Sequence, residues 1–140
     1  MSAPLESPRP SGHGPYRIMI VDDDRDICEA LADRLQAWGY DVITCHDGAS
    51  AVAMMTLESM RSPVHLVLLD LHLPGMDGMA VLRQLGGPDN TVPVIIMSAT
   101  ARAEAFWDAI GAGAVDWLPK PLDYEELCRK CHLALHDGDP

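Results

Sequence analysis

Apolar and polar positions fall in blocks along most of this chain, and the blocks are of two kinds. Short apolar runs occupy residues 17–22, 41–45, 65–70, 92–98 and 114–118. Three of them, Ile18-Met19-Ile20-Val21, Leu66-Val67-Leu68-Leu69 and Val92-Pro93-Val94-Ile95-Ile96-Met97, are apolar without a break. A half-exposed strand alternates, so an unbroken run predicts a strand covered on both faces, as in a parallel sheet. Pro93 is tolerable because it lies near a strand start.

The segments between the runs carry the helical period. Ile27, Leu31, Leu35 and Trp38 recur at that spacing, and Gly39 follows where a C-terminal cap belongs. Asp47 is placed to cap a second helix over residues 49–60. A third runs from 77 to 85 before Gly86-Gly87-Pro88 breaks it, and a fourth spans 101–110 and ends at Gly111. The fifth begins near Tyr124 and sets Leu127, Cys131 and Leu135 on one stripe. No internal repeat is present. Residues 1–15 hold Pro4, Pro8, Pro10 and Pro15 among Ser and Gly without an apolar period. They are expected to form a disordered leader or linker, leaving 16–137 as the domain and 138–140 as a tail.

Five strands alternating with five helices demand crossover connections, hence an α/β three-layer sandwich around a parallel sheet. In such folds ligands bind beyond the carboxyl ends of the strands, near the point where strand order reverses. Polar residues wait at those ends. Asp22-Asp23-Asp24 closes the first strand, Asp70 the third and Ser98-Ala99-Thr100 the fourth, while Pro119-Lys120-Pro121 follows the fifth.

This set has a coherent chemistry. Carboxylates crowded on one rim resist ionising together. A hard divalent cation removes that conflict, and Mg²⁺ takes one or two carboxylates together with phosphate oxygens. A carboxylate can also attack phosphorus and form an aspartyl phosphate. The transferred charge then needs a cation, an ammonium such as that of Lys120, and a hydroxyl such as that of Ser98. Each residue alone has a plain explanation, since acids at a helix start simply favour it. Their joint placement at successive strand ends is what points to phosphoryl chemistry.

Composition narrows this further. With 140 residues, 48% hydrophobic and a single Phe, the chain fits one domain whose core is built from aliphatics and Met. Ten basic against 21 acidic residues give a formal charge of −11. That surface repels phosphate backbones, so no nucleic-acid binding is expected, and it suits cations or basic patches on a protein partner. No apolar run approaches the ~20 residues that cross a bilayer, and no secretory signal order is seen. No membrane association and a cytoplasmic location are therefore expected. Four cysteines are few for a disulfide scaffold. Cys128-Arg129-Lys130-Cys131-His132 superficially matches a c-type haem attachment run, and Cys128 and His132 stand one helical turn apart, as two metal ligands can. Two thiols on or near a helix's buried face is the simpler reading.

Four runs now assemble into a family pattern: Ile18-Met19-Ile20-Val21-Asp22-Asp23-Asp24, then Leu66 through Gly78 with its Leu73-Pro74-Gly75-Met76-Asp77-Gly78, then Ile95-Ile96-Met97-Ser98-Ala99, then Leu118-Pro119-Lys120-Pro121. In that order and spacing they resemble bacterial two-component response-regulator receivers, over about residues 16–136. The resemblance implies a flavodoxin-like, doubly wound sheet of order 2-1-3-4-5 with five helices. It implies that Asp70 accepts a phosphoryl group from a histidine kinase or a histidine phosphotransfer protein. Asp22, Asp23, Asp70 and the backbone carbonyl of His72 would hold Mg²⁺. Ser98, the Ala99 backbone and Lys120 would contact the phosphoryl oxygens, and the side chains at His72 and Thr100 would tune its lifetime.

Trp117 stands where the family usually has Tyr or Phe, at the aromatic that follows the switch hydroxyl. The surface of the fourth helix, fifth strand and fifth helix would then change its affinity for a downstream protein or an output domain outside this chain. A homodimer through that surface is a further expectation. Such a chain catalyses only its own phosphorylation and dephosphorylation. Two other readings stand beside this one. A haloacid-dehalogenase-type phosphatase would use Asp22 as nucleophile and Asp24 as general acid/base, but it leaves Asp70 without a role. An inert receiver-like module would have lost an acid, the hydroxyl or the lysine, and none is lost.

Overall fold

The three unbroken apolar runs become the three inner strands of one parallel sheet. The computed structural model describes residues 15–58, 63–73, 75, 77–86, 92–99 and 102–136. Thr100, Gly87 and Pro88, residues 59–60 and 101, the leader up to residue 14 and the 138–140 tail lie outside the described residues. Strand order is β2-β1-β3-β4-β5, with β1 (Arg17–Val21), β3 (Leu66–Asp70) and β4 (Val94–Ser98) inside. β2 (Asp41–Cys45) and β5 (Asp116–Pro119) form the edges. All four pairings are parallel, so every strand ends on the same rim. Five helices make the crossovers: α1 (Arg25–Ala37), α2 (Gly48–Glu58), α3 (Gly78–Gly86), α4 (Ala103–Gly111) and α5 (Tyr124–His136). The expected doubly wound architecture is the one observed.

Alternate residues of each inner strand face opposite layers. Met19, Val21, Val67, Leu69 and Ile96 pack with Ala51 of α2, Val81, Leu82 and Leu85 of α3, and Ala109 of α4. Ile18, Ile20, Leu68, Ile95 and Met97 pack with Cys28, Leu31 and Leu35 of α1, and with Leu127, Cys131 and Leu135 of α5. Each large aliphatic side chain so buried contributes about 1.5–3 kcal/mol. On α1 the buried stripe runs through Cys28, with Ile27 only half-buried.

Helix and strand ends shift by a few residues from the expected ones, for identifiable reasons. The fifth strand was expected over 114–118 but runs over Asp116–Pro119. The Ala114 N–H is taken by the Ala109 carbonyl, so residue 114 finishes α4 instead of starting the strand. α4 itself includes Gly111, and the left-handed residue that ends the turn is Gly113 at φ 118°. Asp24 caps α1, its carboxylate accepting from the Asp26 and Ile27 N–H groups.

Candidate functional site

β1 and β3 are neighbours, with Val21 registered against Leu69, so the next residues of both strands, Asp22 and Asp70, emerge side by side. Both carboxylates are buried. Lys120 follows the far edge strand, β5, yet its side chain crosses the rim to both. Its Nζ lies 2.8 Å from Asp22 Oδ2 and 3.2 Å from Asp70 Oδ2. The remaining oxygens accept backbone donors: Asp22 Oδ1 takes the Asp24 N–H at 2.9 Å and Asp70 Oδ1 takes the His72 N–H at 3.0 Å. The peptide between Lys120 and Pro121 is cis.

Burial pushes the Asp22 carboxyl above its ordinary range, outweighing the downward pull of the Lys120 hydrogen bond and the Asp24 N–H. Burial also works against the Lys120 ammonium. The hydrogen bond and charge of Asp22, with the charge of Asp70, overcome it and hold Lys120 above its ordinary value. One ammonium thus faces three acids, because Asp23 stands exposed at the mouth and offers an oxygen within 4.8 Å of those of Asp22 and Asp70. Among the described residues this trio is the one group of three or more acidic, His or Cys side chains able to hold a metal. Its donors are all oxygens, which suits a hard cation of the Mg²⁺ class and not a thiophilic one.

The other expected residues lie around this centre. Ser98 is buried at the end of β4, and its carbonyl accepts the Lys120 N–H at 2.8 Å, tying the lysine's backbone to that strand. Ala99 and His72 are exposed beside the rim. Trp117 sits apart, buried in the layer under α4, with its ring edge-on to Phe106 at 5.9 Å between centroids. The loop after Asp70 is shaped by two glycines. Gly75 takes the left-handed φ of 78°, and Gly78 packs so closely on the Leu71 carbonyl that an added Cβ would collide with it.

Two alternatives lose their footing here. Asp24 spends its carboxylate on the α1 cap, away from the acid–base role a dehalogenase-type site would ask of it. Cys131 is fully buried against the sheet while Cys128 is half-buried, so the pair cannot both reach a haem vinyl group.

Residues 18–132 match the family model described as the response regulator receiver domain. The chain belongs to this family. The transcriptional regulatory protein ZraR of Escherichia coli K12 is 38% identical over 124 residues, which is 88% of this chain and 27% of that protein. The response regulator MprA of Mycobacterium tuberculosis is 37% identical over 124 residues, 89% of this chain and 52% of that protein. The receiver domain therefore spans about a quarter to a half of the curated relatives it matches. Among solved structures, a CheX–CheY–BeF3–Mg²⁺ complex from Borrelia burgdorferi superposes with a TM-score of 0.83 at 27% identity, covering 93% of this chain and 96% of that one. A CheY-like receiver from Methanospirillum hungatei JF-1 gives 0.79 at 26% identity, covering 87% and 94%.

Three side chains of this receiver domain make contacts that were not foreseen from its sequence. Lys130 of α5 donates to the Trp117 carbonyl at 2.7 Å and to Asp116 Oδ1 at 3.0 Å, pinning β5 behind the aromatic. His46 and Cys28 both converge on the backbone carbonyl of Asp22. A lysine on a helix, a histidine after a strand and a cysteine on an apolar stripe carry no motif, so only the packing shows what they touch.

Proposed function

We propose that Asp70 is the phosphoryl acceptor of a two-component signalling pathway. The observation that carries this reading is the convergence of Asp22, Asp23, Asp70 and Lys120 at the mouth of the strand rim. The donor is the phosphohistidine of a histidine kinase or of a histidine phosphotransfer protein. An Asp70 carboxylate oxygen attacks phosphorus, the P–N bond breaks, and the imidazole nitrogen departs with the bonding pair and takes up a proton.

Asp22, Asp23, Asp70 and the His72 carbonyl hold Mg²⁺ in this reading, and the ion's charge offsets that of the phosphoryl oxygens. Lys120 moves from bridging two carboxylates to meeting the incoming oxygens, the partial ionic bonds it already makes having aimed it there. The Ser98 hydroxyl and the Ala99 N–H complete the cradle. His72, exposed two residues after Asp70, governs water's access to the acyl phosphate together with Thr100. The chain catalyses only its own phosphorylation and dephosphorylation.

The output in this reading is a surface change. Trp117, packed on Phe106 and pinned through its backbone by Lys130, couples the rim to the face formed by α4, β5 and α5. Within α4, Trp107 is 67% exposed. A downstream protein, an output domain or a second copy of the chain docks on the α4, β5 and α5 face. Relatives named as transcriptional regulators suggest an output in transcription. A charge of −11 repels phosphate backbones, so in this reading any DNA contact belongs to an output domain and not to this chain. The phosphohistidine donor of this reading is a cytoplasmic partner, and no helix among the described residues is long and apolar enough to cross a membrane. Incubation with an acyl-phosphate donor and Mg²⁺ tests the reading: the wild-type chain gains one phosphoryl group by intact mass and Asp70→Asn gains none.

A further inference from the structure

Both backbone polar groups of Asp22 are tied to the end of β2, one to its last residue and one to the residue after it. The Asp22 N–H donates to the Cys45 carbonyl at 3.0 Å, and the Asp22 carbonyl faces His46 Nδ1 at 3.1 Å. Cys28 Sγ, from the first turns of α1, donates to the same carbonyl at 3.3 Å and lies 3.7 Å from His46 Nδ1. A carbonyl only accepts, so the Nδ1–H tautomer is assigned to His46 from its partner. Two side chains from different elements therefore aim donors at one backbone oxygen, one residue beyond the end of β1.

The consequence concerns the Asp22 side chain. Its carboxylate is fully buried and both oxygens are committed, one to the Asp24 N–H and one to Lys120. A short side chain so enclosed can be re-aimed only by moving its backbone. Mg²⁺ demands near-ideal octahedral geometry, so small errors in the direction of one ligand are felt in affinity. Groups that orient a ligand without touching the metal carry much of a site's strength.

We propose that His46, assisted by Cys28, is a positioning residue of the cation site, fixing the backbone from which Asp22 projects. His46 touches neither the cation nor the phosphoryl group. The inference rests on the reading of Asp22, Asp23 and Asp70 as a Mg²⁺ site. His46 is only half-buried, so shortening it leaves a site open to water and not a sealed cavity.

Titration of the whole chain with MgCl₂, followed by amide NMR shifts, reads the effect directly. His46→Ala raises the Mg²⁺ dissociation constant about tenfold, and His46→Asn, which returns a side-chain N–H of similar reach, recovers most of it. At saturating Mg²⁺ the rate of phosphorylation by an acyl phosphate returns to near the wild-type value, because cation affinity has changed and the nucleophile has not. His46→Leu keeps the bulk and removes the donor, and supplies the same comparison if the alanine variant folds poorly. A donor-less variant that binds Mg²⁺ as the wild type does overturns the proposal, and so does His46→Asn performing no better than His46→Ala. A wild-type chain without any Mg²⁺-dependent shift overturns the cation reading itself, and this inference with it.

Discussion

Ile20 and Asp22 lie two residues apart, and each is completely shielded from solvent. For Ile20 that shielding is a gain, because an aliphatic side chain leaves water for a packed layer beneath α1 and α5. For Asp22 it is a cost, visible in the upward push on its carboxyl, and only partly offset by Lys120 and one backbone N–H. The strand bodies thus follow the rule that apolar groups go inside, while the rim one residue further on breaks it with Asp22, Asp70 and Ser98. A fold keeps buried carboxylates close together when their use outweighs their cost. The strand bodies supply stability, and the rim spends part of it to hold negative charge in place.

The contrast can be pressed hardest by withdrawing the cation. Chelation with EDTA lowers the rate of phosphorylation from an acyl-phosphate donor at least about a hundredfold, the scale seen when one electrostatic partner of a reacting centre is lost. The same treatment leaves the far-UV circular dichroism unchanged. A core substitution does the opposite. Leu68→Ala, in the centre of β3 and fully buried, lowers unfolding stability by about 2–5 kcal/mol in urea titrations. The folded fraction still phosphorylates.

A finer cut uses pH in metal-free buffer. Because the Asp22 pKa is raised in the folded chain, the stability this group contributes is present below its unfolded value of 3.8 and is lost as pH rises through the folded value. Asp22→Asn does not titrate there, so urea titrations will show the variant gaining on the wild type from acid to neutral pH. The raised pKa of Lys120 acts only in the alkaline range and does not enter this window. Adding Mg²⁺ at a hundred times its dissociation constant returns about 2.7 kcal/mol to the wild type alone.

The smallest effect separates thiols. Burial pushes Cys28 and Cys45 up to about 11, so their contribution to stability persists below their unfolded value of 9.0 and fades only as pH rises through 11. At pH 8 a disulfide reagent should label half-buried Cys128 first, with Cys28, Cys45 and Cys131 following only on unfolding.

The same two regions explain what could be read without coordinates. Unbroken apolar runs were enough to single out β1, β3 and β4, because burial on both faces leaves no room for polar alternation. The mixed run at 114–118 was harder. Ala114 looked like a strand residue but its N–H goes to the end of α4, a choice made by the helix cap and not by hydropathy. On the rim, Asp22, Asp70, Ser98 and Lys120 were legible because each directly follows an apolar run, and parallel topology does the rest. His46, Cys28 and Lys130 were not, since each acts on a backbone carbonyl outside its own element. Backbone acceptors have no sequence signature, so their partners emerge only when the loop after β2 and the face of α5 are in place.

In the proposed function this rim exists to place a phosphoryl group on Asp70. Trapping the acyl phosphate by borohydride reduction and mapping it by tandem mass spectrometry tests this most directly. The modification is expected on the peptide carrying Asp70 and at that residue, dependent on Mg²⁺. Modification at Asp22 or Asp24, or none under conditions where the cation binds, would contradict it.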